Sequence, residues 1–101
     1  MKKIITTTKA PAPIGPYNQA VLSGNTKQVM ENMKEVLTAA KMTFENVVKT
    51  SIFISDMHNF SKINSVYAQY FNEATAPARE TVEVANLPKF VNVEISMIAI
   101  K

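Results

Sequence analysis

The apolar residues of this chain switch between a helical spacing and a two-residue alternation, and that switching fixes the class of fold open to it. Val29, Met30, Met33, Val36, Leu37 and Ala40 fall on one face of a 3.6-residue period. Over residues 47–55 the spacing shortens to two. Val48, Thr50, Ile52 and Ile54 alternate with Val47, Lys49, Ser51 and Phe53, which predicts a strand. Past a polar turn at 56–59, Ile63, Val66, Tyr67, Tyr70 and Phe71 return to helical spacing. Residues 72–78 read as a loop closed by Pro77, and two strands follow at 79–84 and 91–100 with a turn at 86–89 between them.

The start of the chain follows other rules. Three prolines in Ala-Pro-Ala-Pro-Ile-Gly-Pro, residues 10–16, lack the N–H donor that a helix or a central strand needs. Residues 17–22 then form a short strand candidate ended by Ser23-Gly24-Asn25. Asn25 suits the N-cap of the first helix, and Gln28 three residues on suits a capping box. The order is strand, strand, helix, strand, helix, strand, strand, a single α+β domain over 1–101. Right-handed crossovers put both helices on one face of one mixed sheet. The opposite face, carrying pairs such as Val47 and Phe53 or Val48 and Ile52, is too apolar for water, and symmetric association would cover it.

Composition narrows the chemistry. The 101 residues, 47% hydrophobic and 19% charged, suit one compact domain. The absence of cysteine excludes a disulfide framework, a thiolate zinc site and a thiol nucleophile. No segment approaches a membrane span, the start is too short in apolar residues for a signal peptide, and a cytoplasmic protein is expected. Net charge is +3, but the lysines are spread out and are not interleaved with aromatics, which argues against a nucleic-acid surface. No His/Asp/Glu spacing suggests a metal site, and no Gly-rich loop exists to cradle phosphate. The methionines of the first helix are core packing.

Few side chains remain for chemistry. His58, the only histidine, sits in a polar turn and reads as a solvent-exposed residue without visible catalytic partners. Arg79 is the only arginine and opens a strand directly after Pro77-Ala78, where its planar fork suits a carboxylate. Glu94 interrupts the apolar C-terminal strand, where burial would suit a carboxyl to shuttle protons. On pattern alone the simpler reading is a salt bridge for each, Arg79 to Glu80 or Glu83 and Glu94 to a lysine.

The segment Ala78-Arg79-Glu80-Thr81-Val82-Glu83-Val84-Ala85-Asn86-Leu87-Pro88, with Val91-Asn92-Val93-Glu94-Ile95 in register behind it, resembles the C-terminal signature of the RidA/YjgF family of reactive-imine deaminases. Ile14-Gly15-Pro16-Tyr17-Asn18-Gln19-Ala20 resembles the N-terminal motif of that family. Val47-Val48-Lys49-Thr50, Asp56-Met57, Asn64 and Tyr67 also match its pattern. The resemblance implies a chorismate-mutase-like α+β fold, a homotrimer with ligand sites in the clefts between subunits, and no cofactor or metal. The implied reaction is hydrolysis of 2-imino acids, the tautomers of enamines such as 2-aminoacrylate, to 2-oxo acids and ammonia. Carried over by position, Arg79 clamps the substrate carboxylate and Glu94 activates or positions water. Tyr17 lines the pocket, the backbone of Thr81 contacts ligand or water, and Asn64 binds substrate or supports the pocket.

The same clamp would serve a non-catalytic trimer that binds a 2-oxo acid or an amino acid. RNA cleavage, attached to some relatives, would need a basic groove with stacking aromatics. This sequence departs from the family pattern where members carry a further strand and loop, between Leu22-Ser23-Gly24-Asn25 and Thr26-Lys27-Gln28. It also carries Asn86 where arginine is common, and Glu80 in place of a small polar residue.

Overall fold

The computed structural model describes residues 22–101. Helix α1 (Leu22–Ala39) is followed by strand β1 (Val47–Ile54), helix α2 (Phe60–Tyr67), strand β2 (Ala78–Glu83) and strand β3 (Val93–Ala99). The strands form one mixed sheet in the order β2-β1-β3, with β1 parallel to β2 and antiparallel to β3. Both helices pack on one face of it, the α+β arrangement expected from the periodicities. The strand candidates ahead of the first helix lie outside the described residues, apart from Leu22, which opens α1.

That early opening corrects the expected helix start. Asn25 lies inside α1, and the Gln28 amide donates to the Asn32 side chain at 2.8 Å, one turn on. Thr26 and Met30 are completely buried and Leu37 nearly so, which gives a continuous inward stripe that begins before the apolar residues do. Packing along that stripe outweighs the poor helix propensity of Gly24 and Asn25.

The core is a single cluster. Met30 from α1, Ile63 and Tyr67 from α2, Ile52 and Ile54 from β1, and Val93 and Ile95 from β3 bury one another. Each such side chain taken from water contributes roughly 1.5–3 kcal/mol. The rim is aromatic, with Phe44 meeting Phe71 edge-on at 5.2 Å and Tyr70 at 5.5 Å. A short turn at 44–46 leads into β1, closed by a capping box between Thr43 and Asn46. The Asn46 amide also donates to the Ile100 carbonyl at 3.1 Å and so ties the end of β3 to the start of β1.

Strict alternation fails at the start of β1. The pairing with β3 shifts register between Val47 and Lys49, which buries Val47 and turns Val48 to solvent at 47% exposure. Beyond the shift, Thr50, Ile52 and Ile54 face the helices. The open face therefore carries neither Val47 nor Ile52. Its residues are Lys49, Ser51 and Phe53 of β1, Glu80 and Val82 of β2, and Glu94, Ser96 and Ile98 of β3. It is a mixed surface, less apolar than the sequence suggested, with Val82 and Ile98 as its exposed apolar residues.

The Tyr70 hydroxyl donates to the Glu31 carboxylate at 2.6 Å and links the turn after α2 to α1. Burial and that bond push the phenol up from 10.0 to about 12. An unfolded chain loses this proton near 10.0, before the native one does, so the contribution is complete below that pH and disappears as pH rises through about 12. Denaturant titrations across that alkaline window should show stability falling with pH. A Tyr70→Phe variant should show a shallower fall, and an unchanged slope would remove the Glu31 bond from the account.

Candidate functional site

Phe60, Asn64, Tyr67 and Phe71 recur at helical spacing and form one stripe along α2 and its continuation. Beneath the stripe runs β2, where Arg79 and Thr81 share the helix-facing side because their register partners on β1 are Thr50 and Ile52. Arg79 therefore rises against the stripe. Its guanidinium lies 5.1 Å from the Tyr67 ring centroid and 5.6 Å from that of Phe60. The Asn64 side-chain oxygen accepts a hydrogen bond from Arg79 Nη1. Two aromatic faces and one amide thus fix the plane of the fork and leave its other N–H groups unengaged among the described residues.

Among the described residues no salt bridge holds Arg79. Glu80 points to the open face, where it accepts from Ser51 Oγ at 2.6 Å and pairs with Lys49 at 3.5 Å. The Ser51 bond, then the Lys49 charge, lower the pKa of the Glu80 carboxyl. Glu83 accepts the Met57 backbone N–H at 2.6 Å. Both carboxylates expected to neutralise Arg79 are engaged elsewhere, so its charge stands without an ionic partner among the described residues. A cation held in place but not neutralised is suited to an anionic ligand.

Arg79, Asn64 and Tyr67 line a cavity of about 620 Å³. Three hydroxyls behind it, those of Thr50, Tyr67 and Thr81, are buried and have no hydrogen-bond partner among the described residues. Burial raises the Tyr67 phenol, opposed by the neighbouring Thr50 hydroxyl and the Arg79 charge, so it stays protonated at neutral pH.

The other site candidates lie elsewhere. Glu94 pairs in register with Phe53, itself opposite Val82, and so occupies the open face. It is exposed and makes no ion pair among the described residues. The burial expected from its apolar surroundings is not supplied by the described residues. The sheet separates it from Arg79. Thr81 shares the side of Arg79 but does not line the cavity. Tyr17 lies outside the described residues. His58 is almost fully exposed and, among the described residues, its ring meets only Asp56, at 2.8 Å. Bonds from the His58 backbone and ring lower the pKa of the Asp56 carboxyl. Among the described residues no cluster of His, Asp and Glu has metal-binding geometry, and no helix is long and apolar enough to cross a membrane.

Sequence reasoning singled out Arg79 and Asn64, read Tyr67 as part of the apolar helix face and did not name Phe60. The signal was present in the spacing of residues 60, 64 and 67, which carries an amide between two aromatics onto one helix line. Because the Tyr67 hydroxyl has only the Thr50 hydroxyl beside it and makes no hydrogen bond of good geometry among the described residues, Tyr67→Phe should leave stability within about 0.5 kcal/mol of wild type or raise it. A loss beyond about 1 kcal/mol in urea unfolding would show that the phenol is hydrogen-bonded.

Residues 22–101 match the family described as endoribonuclease L-PSP. A RutC family protein of Synechocystis sp. is 46% identical, over 97% of this chain and 95% of its own length. A Bos taurus protein named 2-iminobutanoate/2-iminopropanoate deaminase is 40% identical over 100% of this chain and 91% of its own. These alignments run over 124 and 126 residues, longer than the 101 residues here, so each relative has a stretch with no counterpart in this chain. The structure of E. coli TdcF with bound serine superposes with a TM-score of 0.82 at 35% identity, covering 99% of both chains. The chain therefore belongs to the endoribonuclease L-PSP family, the RidA/YjgF group whose signature the segment around Arg79 resembles.

Proposed function

We propose that the protein hydrolyses reactive 2-imino acids, such as 2-iminopropanoate and 2-iminobutanoate, to 2-oxo acids and ammonia. The observation that carries this reading is Arg79, held by Asn64, Phe60 and Tyr67 at a cavity and left without an ionic partner. The deaminase name of relatives at about 40% identity supports it. An arginine fork binds the substrate carboxylate through parallel N–H bonds and so fixes the position of the adjacent C2 carbon.

The chemistry asks little more of the protein. A protonated imine is electrophilic at C2. Water adds there as the C=N π electrons move to nitrogen and gives up one proton to a nearby base, leaving a neutral carbinolamine. A proton passes from the new hydroxyl to nitrogen, the C–N bond breaks and ammonia leaves as the C=O bond forms. A carboxylate that carries the proton accelerates this sequence, and Glu94 is our candidate for it. Arg79 and Glu94 lie on opposite faces of the sheet, so this role needs a neighbouring copy to bring its Glu94 to the cavity. That requirement agrees with the homotrimer implied by the family resemblance and gives the cytoplasmic, cofactor-free enzyme of our reading its assembly.

A binding protein for amino or 2-oxo acids is the second reading, favoured by the serine held by a structural relative. Turnover separates the two. When 2-iminopropanoate is generated by an amino-acid oxidase and trapped over time, wild type should speed its loss. Arg79→Ala should reduce kcat/KM by about 100-fold, and Arg79→Lys by about tenfold, because the ammonium keeps the charge but loses the fork. Glu94→Gln should lower kcat more than it raises KM. A folded wild type that leaves imine decay unchanged would contradict deamination and leave ligand binding in front.

A further inference from the structure

The connection from β2 to β3 carries an aromatic residue in a backbone conformation that suits it poorly. Lys89 and Phe90 both sit in the left-handed region, with φ of 58° and 55°. Glycine takes that conformation freely and asparagine at little cost, whereas a bulky aromatic crowds its Cβ against the carbonyl that follows. The ring is not drawn into the core either, since Phe90 is 72% exposed. Strain of this kind persists where a contact uses it.

The turn is built to hold the ring out. Leu87 is buried and anchors its start, Pro88 fixes the next φ, and the Phe90 N–H donates to the Leu87 carbonyl at 2.8 Å. Just beyond, the Asn92 carbonyl accepts the Ser55 N–H at 3.2 Å and ties the connection to the end of β1. A side chain presented on so fixed a turn loses little freedom on contact.

Its place in the fold names the occupant. Phe90 stands four residues ahead of Glu94, at the end of the sheet where β2 stops and β3 begins. Glu94 has apolar company on the open face, with Phe53 opposite it in register and exposed Val82 beyond. The proposed reaction needs a neighbouring copy to bring its Glu94 to the Arg79 cavity. That placement carries Phe90 to the rim of the same cavity, where Ala68, Ala76 and Pro77 offer small apolar surface. Lys89 travels with it. The carboxylate at that rim is Glu73, which makes no ion pair among the described residues. Aromatic meets apolar and cation meets anion.

We propose that Phe90 is the anchor through which one copy of this chain seats on the next, its ring on the rim formed by Ala68, Ala76 and Pro77 and Lys89 against Glu73. This rests on the reading in which Glu94 acts across the boundary between copies.

The test follows assembly of the full chain by sedimentation over a range of concentrations, with urea unfolding of the dissociated protein and imine turnover alongside. Phe90→Gly should raise the concentration of half-assembly by at least about tenfold, as loss of an aromatic anchor does. The dissociated Phe90→Gly chain should be at least as stable as wild type, because glycine relieves the strain at this position. Phe90→Tyr keeps the ring and should assemble within about threefold of wild type. Lys89→Glu should weaken assembly, and adding Glu73→Lys in the same chain should restore it.

A wild type that stays monomeric at every concentration, or a Phe90→Gly variant that assembles as wild type does, would overturn the anchor. A dissociated Phe90→Gly chain that has lost stability would also overturn it, since the ring would then serve its own subunit. A charge-swapped double variant no better than Lys89→Glu alone would overturn the seat beside Glu73. Turnover keeps these outcomes apart from deamination. An assembled wild type that Phe90→Gly disrupts, yet that leaves imine decay unchanged, would support the anchor and contradict deamination. An active wild type whose assembly ignores Phe90→Gly would contradict the anchor while deamination stands.

Discussion

The described part of this chain is organised by which way β1 faces. As the middle strand it meets β2 on one side and β3 on the other, so the direction of its side chains sets the direction of theirs. Once Ile52 and Ile54 turn into the helices, the parallel register sends Arg79 and Thr81 to the same side, and the antiparallel register sends Glu94 to the other. The core and the candidate site thus share one determinant. A slip of one residue in β1 would expose the core and bring Arg79 out onto the open face together.

The second feature is how Arg79 is held. An arginine in a small domain is commonly neutralised by a carboxylate, and Glu80 and Glu83 flank this one closely in sequence. Alternation sends Glu80 across the sheet to Ser51 and Lys49, and Glu83 is engaged at the backbone of the turn after β1. Neutral groups orient the guanidinium instead. An amide oxygen and two ring faces fix its plane at little cost in desolvation, because the group stays exposed at the cavity. An anion arriving there displaces water and not a competing carboxylate. An arginine held this way is suited to binding an anion, and the geometry gives Phe60 and Tyr67 a part in orienting it without their touching a ligand.

Much of the fold was legible because period is a local property. The helix face from Val29 to Leu37 and the alternation from Thr50 to Ile54 both lie in β1 or the helices as their spacing implied. Arg79 stood out by rarity and position. What was not legible depended on pairing across the chain. The register shift that exchanges Val47 and Val48 is set by β3, some fifty residues on in sequence, and leaves no mark in β1 itself. The opposite facing of Arg79 and Glu94 follows only when both registers are known. Asn25 looked like a cap because Leu-Ser-Gly-Asn is a good terminus locally, yet the buried face of Thr26 and Met30 extends the helix through it. The partners of Arg79 were missed for the same reason, since Phe60 and Tyr67 look like core until β2 is laid beneath them.

Arg79 is the only arginine in the sequence, so its guanidinium can be observed by nitrogen-15 NMR without an assignment problem. Titrating the labelled protein with a 2-oxo acid, the stable product analogue of the imine, tests the central claim directly. The account predicts a saturable shift of the Arg79 side-chain resonances and slower rotation of the fork as the carboxylate locks it, with both effects absent when the ligand is the corresponding amide. Resonances that stay unmoved while the 2-oxo acid binds elsewhere, or an equal response to the amide, would contradict it.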